Sequence, residues 1–460
     1  MASSRRVLAI SGAAMVAACF HPAPLAPLPN LELRGAPEAA PATAPPASWE
    51  LDERAAIAYA LAHSAAVAER RDQEAVAEAR IAAARQLTNP ELHVGRSSEL
   101  GLLGDESSRY VVGLRVFPDM PWALDARISA ARATYAAERA VTTTATRALA
   151  AQIAQGYAQL AYGQATTDLL ARSRTVLAER RRVLAAQLAH NTATQLEVVL
   201  AAQDAAEIDA TVSAIDIAAT RQRAELARLI GIPVGQTWTP VWQLDTQRAI
   251  HTEIDRAALS AQALARPELA ELEARAHAAE ATAYEERSHR VPWLQSLQIE
   301  RSVRDTVEWA VSATISLPLF SLGTGKIATA DAERRRYANQ RVRLARDTLR
   351  QLDDAITLAE ATGRRARALE DQLAPTSQQI AALFAAEKSA AVSDPVKLLL
   401  LEERHVRAQR AMLDAAYDHR LALIALEALT GAAPGAPTAA PGAPKAAPGA
   451  PGAPGAPGAP

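Results

Sequence analysis

The chain has 460 residues, of which 49% are hydrophobic but only 4% aromatic, and its formal net charge is −2. Much of the apolar fraction is alanine, which buries little area per residue, so the composition argues against a compact globular core and favours long helices packed side by side. A nearly neutral chain has no global positive field that would favour nucleic acid as a partner.

The first 18 residues are a predicted export signal, because Arg5 and Arg6 precede an apolar run that ends at Ala18. The segment VAAC, which ends at Cys19, resembles a bacterial lipobox, in which the signal is cut before a cysteine that then becomes lipid-modified. An ordinary signal peptide with an incidental Cys19 is the alternative. Cys19 is the single cysteine of the chain, so no intrachain disulfide is possible.

Residues 19–48 are rich in proline and alanine, which predicts an extended tether. No later segment reaches the ~20 unbroken apolar residues that a transmembrane helix needs. Any part of the mature chain that spans a membrane must therefore be built from strands.

A first structural repeat is predicted over residues 49–237. Helical patterning continues to about Gln86. Two alternating runs separated by glycines then indicate a β-hairpin, with strands at about 90–98 and 109–118.

Two further helices complete this repeat, one from about residue 123 to 189 and one from about 195 to 230. At 1.5 Å per residue the first would be roughly 100 Å long. The second has the heptad spacing of helices that pack lengthwise, at Ile208, Val212, Ile215, Ala219, Gln222, Leu226 and Leu229. A coiled coil without a channel has the same periodicity.

The arrangement recurs about 200 residues later, which predicts a tandem duplication. Matching segments include YVVGLRVFP at Tyr110 with AVSATISLP at Ala310, and LARLIG at Leu226 with LEALTG at Leu426. The second repeat covers residues 255–431, with strands at about 292–301 and 307–318, and residues 238–254 link the two repeats. Residues 432–460 are rich in glycine, alanine and proline, which predicts a disordered tail.

The strand that begins at Val307 alternates, with an apolar face and an opposite face that carries Glu308, Ser312, Thr314 and Ser316. Its candidate lipid-facing residues are Trp309, Val311, Ile315 and Leu317. Four strands from one chain cannot close a barrel, and open edges cannot lie in lipid, so several chains would have to share one barrel. Three chains would supply twelve strands.

The whole layout resembles the TolC family of outer-membrane efflux proteins over roughly residues 49–431. The segments that carry the likeness are NPEL at Asn89, RPELAELEARAHAAEA at Arg266, LPLFSLGTGKIATADAERRR at Leu317, and LEVVLAAQ at Leu196. The resemblance implies a homotrimer with a 12-stranded β-barrel in the outer membrane, continued by a periplasmic α-helical barrel. It also implies two partners: a periplasmic adaptor, and an inner-membrane pump of resistance-nodulation-division type.

In that family the periplasmic helix tips constrict the channel, with acidic residues around the opening. The corresponding turns here are AHNTATQLE and EKSAAVSDPVK. Asn191 stands where the family usually has glycine, and asparagine tolerates the left-handed conformation. Glu197 and Asp394 are the candidate constriction residues. Alternatively, Glu197 is a solvated helix charge and Asp394 is a helix N-cap.

The sequence favours a protein without catalytic activity, resident metal or cofactor. The segment GTGK, Gly323 to Lys326, lacks the first glycine and the final Ser/Thr of a phosphate-binding loop. A second functional hypothesis remains: a lipid-anchored periplasmic coiled-coil adaptor or scaffold that does not span the membrane. The transported substrate is not encoded in a recognisable motif.

Overall fold

The computed structural model describes residues 50–100, 106–233, 235–241, 255–303, 307–318, 322–389 and 395–431. The chain divides into two compact units. In the smaller unit, described at residues 233 and 235–237, the Gln236 amide donates a hydrogen bond to the Pro233 carbonyl at 3.2 Å. The larger unit contains all the helices and strands that follow.

The first half of the larger unit comprises β1 (Glu50–Leu51), α1 (Glu53–His63), α2 (Ala65–Ala84), β2 (Glu91–Leu100), β3 (Glu106–Val116), α3 (Pro121–Ala189) and α4 (Gln195–Ile230). The second half comprises β4 (Thr239–Pro240), α5 (Arg256–Leu264), α6 (Pro267–Ser288), β5 (Trp293–Val303), β6 (Val307–Ser316), α7 (Thr324–Ser389) and α8 (Pro395–Thr430). The described chain is thus mainly helical with a small β part, which confirms this coarse prediction. Each half passes through two helices, a hairpin, a long helix and a returning helix.

The helix predicted to run to about Gln86 is two helices in the structure. They separate at Ser64, whose backbone is extended, with φ −66° and ψ 123°. Gly231 lies against this break, since a Cβ atom on Gly231 would be 3.2 Å from the carbonyl oxygen of His63. Periodicity does not reveal the break, because the segment that contacts it lies far along the chain.

A second unpredicted feature is a two-stranded parallel sheet within the predicted linker. Residues Thr239–Pro240 pair with Glu50–Leu51. The Val241 amide donates to the Leu51 carbonyl at 2.9 Å, next to this sheet. The start of the first half is thereby bonded to the start of the second.

The returning helices end in the same way in the two halves. Gly231 and Gly431 adopt left-handed conformations with φ of +84° and +76°. Their amides donate to the carbonyls of Ala227 and Glu427 at 3.0 and 2.8 Å. Glycine suits this position because it has no Cβ to oppose a positive φ.

The heptad seam of α4 packs against α3, as the spacing predicts. All seven seam residues are buried or half-buried, and Leu226 is fully buried. The helices approach closely at Gly156 of α3, where a Cβ atom would lie 2.6 Å from Leu226 Cδ2. Below this contact, the buried Tyr157 hydroxyl donates to the Leu51 carbonyl at 2.9 Å. Burial raises the pKa of this phenol, so it remains a donor.

The helices nearest the hairpins form one layer in the order α2, α3, α6, α7. Between α2 and α3, the Thr142 hydroxyl donates to the Arg70 carbonyl at 3.4 Å. Between α6 and α7, Arg341 contacts Glu273 at 3.2 Å. Along this layer, α2 and α7 are the outermost helices.

The hairpins form a four-stranded antiparallel sheet in the order β2, β3, β5, β6. The hairpin of the first half meets that of the second through β3 and β5, in register from Tyr110 opposite Val303 to Val116 opposite Leu297. Within the described residues, the outer backbone edges of β2 and β6 have no strand beside them. The sheet order therefore matches the helix order, with β2 next to α2 in the chain and β6 next to α7.

The two long helices differ at one backbone position. α7 contains Pro375, which the helix accommodates in its interior. The residue 200 positions earlier, in α3, is Thr175, whose hydroxyl donates to the Ala171 carbonyl at 3.1 Å.

Among the described helices, none has the length and apolar character needed to cross a membrane.

Replacing Leu226 by Ala should destabilise the protein by about 2–5 kcal/mol, because it opens a cavity opposite Gly156. The measurement is urea unfolding in detergent, followed by helical circular dichroism. Ile217→Ala on the same helix is the matched control, since Ile217 is 55% exposed and should cost far less. Equal losses in the two variants would contradict the assignment of the seam.

Candidate functional site

The four-stranded sheet has one apolar face, which the strand register defines because directly paired residues point to the same side. The face is exposed throughout, with side-chain exposures from 38% to 71%. Its members are Leu92, Val94, Tyr110, Val112, Leu114, Val116, Leu297, Ile299, Val303, Val307, Trp309, Val311 and Ile315. An exposed apolar surface spanning four strands is far larger than the scattered apolar residues of an ordinary protein surface, and it indicates contact with lipid or another protein.

The four predicted lipid-facing residues all lie on this side. Trp309, Val311 and Ile315 are 68%, 70% and 59% exposed, and Leu317 follows the strand in the same alternation at 61%. The guanidinium of Arg301, which is paired with Trp309, lies 5.9 Å from the centre of its ring. This cation–π contact with Trp309 stabilises the charged side chain of Arg301 on an otherwise apolar face.

The opposite face of the sheet is polar. Arg115 donates two hydrogen bonds to Gln298 Oε1 at 2.9 and 2.7 Å, and Gln298 also contacts Glu300. Glu91 extends this network at 3.9 Å from Arg115. Gly113 leaves room for it, since a Cβ atom there would be 2.8 Å from Glu300 Cγ.

The base of the sheet is tied to the start of α3. The Trp293 indole donates to the Pro118 carbonyl at 2.8 Å, and its ring packs edge-on against Trp122 with centroids 5.0 Å apart. A register shift between Leu294 and Ser296 bends β5 nearby. Trp293 thus packs against the first turn of α3.

The turn between α3 and α4 contains Asn191, with φ of +59°. Among the described residues, it is the single non-glycine residue with positive φ. The left-handed conformation predicted for Asn191 is therefore confirmed. The Thr192 amide donates to the Gln187 carbonyl at 2.9 Å, which closes the turn.

Glu197 lies next to this turn and takes part in a capping box with Thr194. Its carboxylate accepts from the Thr194 amide at 2.7 Å and from the Thr194 hydroxyl at 2.9 Å. The hydrogen bonds from Thr194 lower the pKa of Glu197. The spacing Thr194-x-x-Glu197 is the capping-box signature, a local signal in the sequence that hydrophobic periodicity does not include.

Asp394 and Cys19 lie outside the described residues, so the constriction role of Asp394 and the lipidation of Cys19 stay predictions.

The GTGK segment turns the chain from the sheet into α7. Gly323 has φ of +60°, and the Lys326 ammonium contacts Glu286 of α6 at 3.0 Å. The lysine of a phosphate-binding loop would instead point at the ligand. Over the described part of the chain, no group of three or more His, Cys, Asp or Glu residues is placed to hold a metal ion.

No protein-family model matches the chain, and no curated protein matches it in sequence. Solved structures do resemble it. One is CusC, in structures concerned with transmembrane channel formation, at 17% identity and a TM-score of 0.65, covering 89% of this chain and 98% of CusC. Another is the outer-membrane protein VceC of Vibrio cholerae, at 18% identity and 0.64, covering 82% of this chain and 96% of VceC.

A third is the outer-membrane channel MtrE of Neisseria gonorrhoeae, in an open state, at 18% identity and a TM-score of 0.64, covering 89% of this chain and 97% of MtrE. At identities this low, the structural likeness shows a shared fold and nothing more. The chain therefore has the fold of TolC-family outer-membrane channels, as the resemblance of its sequence implies.

Replacing Thr194 by Ala should loosen the first turn of α4, because the hydroxyl both donates to and accepts from Glu197. We expect higher deuterium uptake in peptides covering residues 190–200, measured by hydrogen exchange. Because the pKa of Glu197 is lowered, the capping contribution is complete above its ordinary pKa and is lost as the pH falls through the lowered value.

Thr192→Ala is the matched control, since its hydroxyl bonds to the Gln187 carbonyl at 3.0 Å and not to Glu197. Unchanged uptake at Glu197 in the Thr194→Ala variant would contradict the capping role.

Proposed function

We propose that this protein is the outer-membrane exit duct of a tripartite efflux pump. The observation that carries the proposal is the two-sided sheet, with an exposed apolar face and a polar face bearing hydrogen-bonded charges. Strands of a transmembrane barrel have this alternation, with apolar residues towards lipid and polar residues towards a wet interior. Trp309, Val311, Ile315 and Leu317 then face lipid.

The open edges of the sheet support a homotrimer. Each chain supplies four strands, and backbone groups at free edges cannot stay unpaired in lipid. Three chains provide a closed barrel of twelve strands. The 69 residues of α3 extend about 100 Å, long enough to continue the barrel as a helical tube into the periplasm.

The remaining parts of the proposal rest on the lipobox at Cys19 and on the resemblance of the sequence to the TolC family. A lipid on Cys19 attaches the mature chain to the outer membrane, after removal of residues 1–18. A periplasmic adaptor joins the helix tips to an inner-membrane pump of resistance-nodulation-division type. Glu197 and Asp394 lie at the periplasmic constriction.

Transport through such a duct is passive. The polar face of the sheet lines the interior, where Arg115, Glu91 and Glu300 keep the wall hydrated. The duct performs no chemical step, and the pump supplies the energy. A passive duct needs no tight binding site for its cargo, so the partner pump selects the cargo.

A matched pair of substitutions on β6 tests the assignment of the two faces. Val311→Arg should lower the amount of folded protein in outer-membrane fractions, because an arginine at mid-bilayer costs about 2–4 kcal/mol on the lipid side. Ser312→Arg, one residue along, should be tolerated because its side chain points into water. Equal effects of the two changes would overturn the assignment.

Purified protein in planar lipid bilayers should form water-filled pores, measured as ion conductance in steps. Removal of the lipid through Cys19→Ala should leave the protein in the membrane, since the strands hold it there. Release of this variant together with absence of conductance would overturn the duct and favour a lipid-anchored scaffold.

A further inference from the structure

The two outer helices of the layer present contrasting faces away from their neighbours. On α7, the face turned from α6 carries four exposed arginines, here called the arginine face: Arg336, Arg343, Arg346 and Arg350. Helical spacing places these residues opposite Arg341, which contacts Glu273 of α6 at 3.2 Å. Asp347, the acidic residue among them, contacts Arg343 at 3.6 Å and Arg350 at 3.9 Å, which leaves the face strongly positive.

The outer face of α2 consists mainly of small residues and carries one carboxylate. Val67, Ala77 and Ala84 are buried on the side of α3. The exposed side opposite them is here called the alanine face, and it consists of Ala65, Ala68, Asp72, Ala75, Val76, Ala79, Ala82 and Ala83. Asp72 is its one charged residue, Glu69 borders it on one side, and Arg71 borders it on the other.

The two faces lie at matching heights below the sheet. Asp72 precedes the sheet-side end of α2, Ala84, by twelve residues, and Arg336 follows the sheet-side start of α7, Thr324, by twelve residues. At 1.5 Å per residue both are about 18 Å from the sheet. Each face is at one end of the layer, so a single chain cannot bring them together.

The sheet, like the helix layer, has two different ends that can meet when one copy lies beside the next. β2 and β6 are its two free edges among the described strands, and successive strands alternate in direction. A β6 edge placed beside the β2 edge of another copy therefore continues the antiparallel order. This junction would set α7 beside α2 of the neighbouring copy.

We propose that the arginine face of α7 and the carboxylates Asp72 and Glu69 of α2 form an ionic seam between neighbouring copies of this chain. The inference rests on the proposed homotrimer and names the chemistry that joins it below the membrane. The alanines of α2 allow close approach, and the long arginine stems lie across them while their guanidinium groups reach the carboxylates. Such a head-to-tail contact is heterologous, so it closes into a ring only when the rotation between copies allows it.

Disulfide cross-linking in a Cys19→Ala background tests the seam, because this change removes the single native cysteine. The chain is extracted in mild detergent with Asp72→Cys combined in turn with Arg336→Cys, Asn339→Cys or Arg343→Cys, and is then oxidised. We expect a ladder of two and three linked chains from at least one pair, read on a non-reducing gel. Asp72→Cys with Arg350→Cys is the height-mismatched control and should stay unlinked, as should each single variant.

Charge reversal supplies an independent measurement. Arg336→Glu with Arg343→Glu should cause loss of the three-chain species by light scattering, and Asp72→Arg with Glu69→Arg in the same chain should restore it. A three-chain mass that charge reversal leaves intact, with no α2–α7 cross-link, would overturn the seam while leaving the duct. A single-chain mass for the unmodified protein would overturn both.

Discussion

The pairing of β3 with β5 is the contact on which the rest of the molecule depends. It joins strands that are almost 200 residues apart in sequence, and it brings the hairpins of the two halves into one sheet. The pairing of Tyr110 with Val303 sets the register between the two hairpins. This register fixes the positions of the four strands and of the helices that enter and leave them. The order α2, α3, α6, α7 repeats the order β2, β3, β5, β6 because each helix adjoins its strand with few residues between them.

The halves share a plan but use different chemistry at equivalent positions. Ala227, one turn from the end of α4, corresponds to Glu427 of α8 at an offset of 200. Burial raises the pKa of the Glu427 carboxyl, which lies 3.9 Å from Arg420. Arg420 in turn reaches Glu53 of α1 at 3.2 Å. A neutral residue near the end of α4 thus corresponds to an acidic residue of α8 that belongs to an ionic contact with the first half.

Residue pattern predicted much of this architecture, because its signals are local. The heptad seam of α4 and the alternation in β6 each reflect neighbours at regular spacing, and both match the structure. The break at Ser64 and the pairing of Thr239 with Glu50 were not predictable in this way, since their partners are remote in sequence. The bonds of Glu197 to Thr194 belong to a capping motif that periodicity does not detect.

Pro375 makes the long helix of the second half, α7, mechanically different from the long helix of the first half, α3. A proline has no amide hydrogen, so the carbonyl of Asp371 lacks the helical donor that Thr175 supplies to Ala171 in α3. The missing hydrogen bond and the steric crowding by the proline ring lower the resistance of α7 to bending at Pro375. Under the same sideways force, α7 therefore bends before α3. The two halves of this duplicated chain thus differ in the stiffness of their long helices.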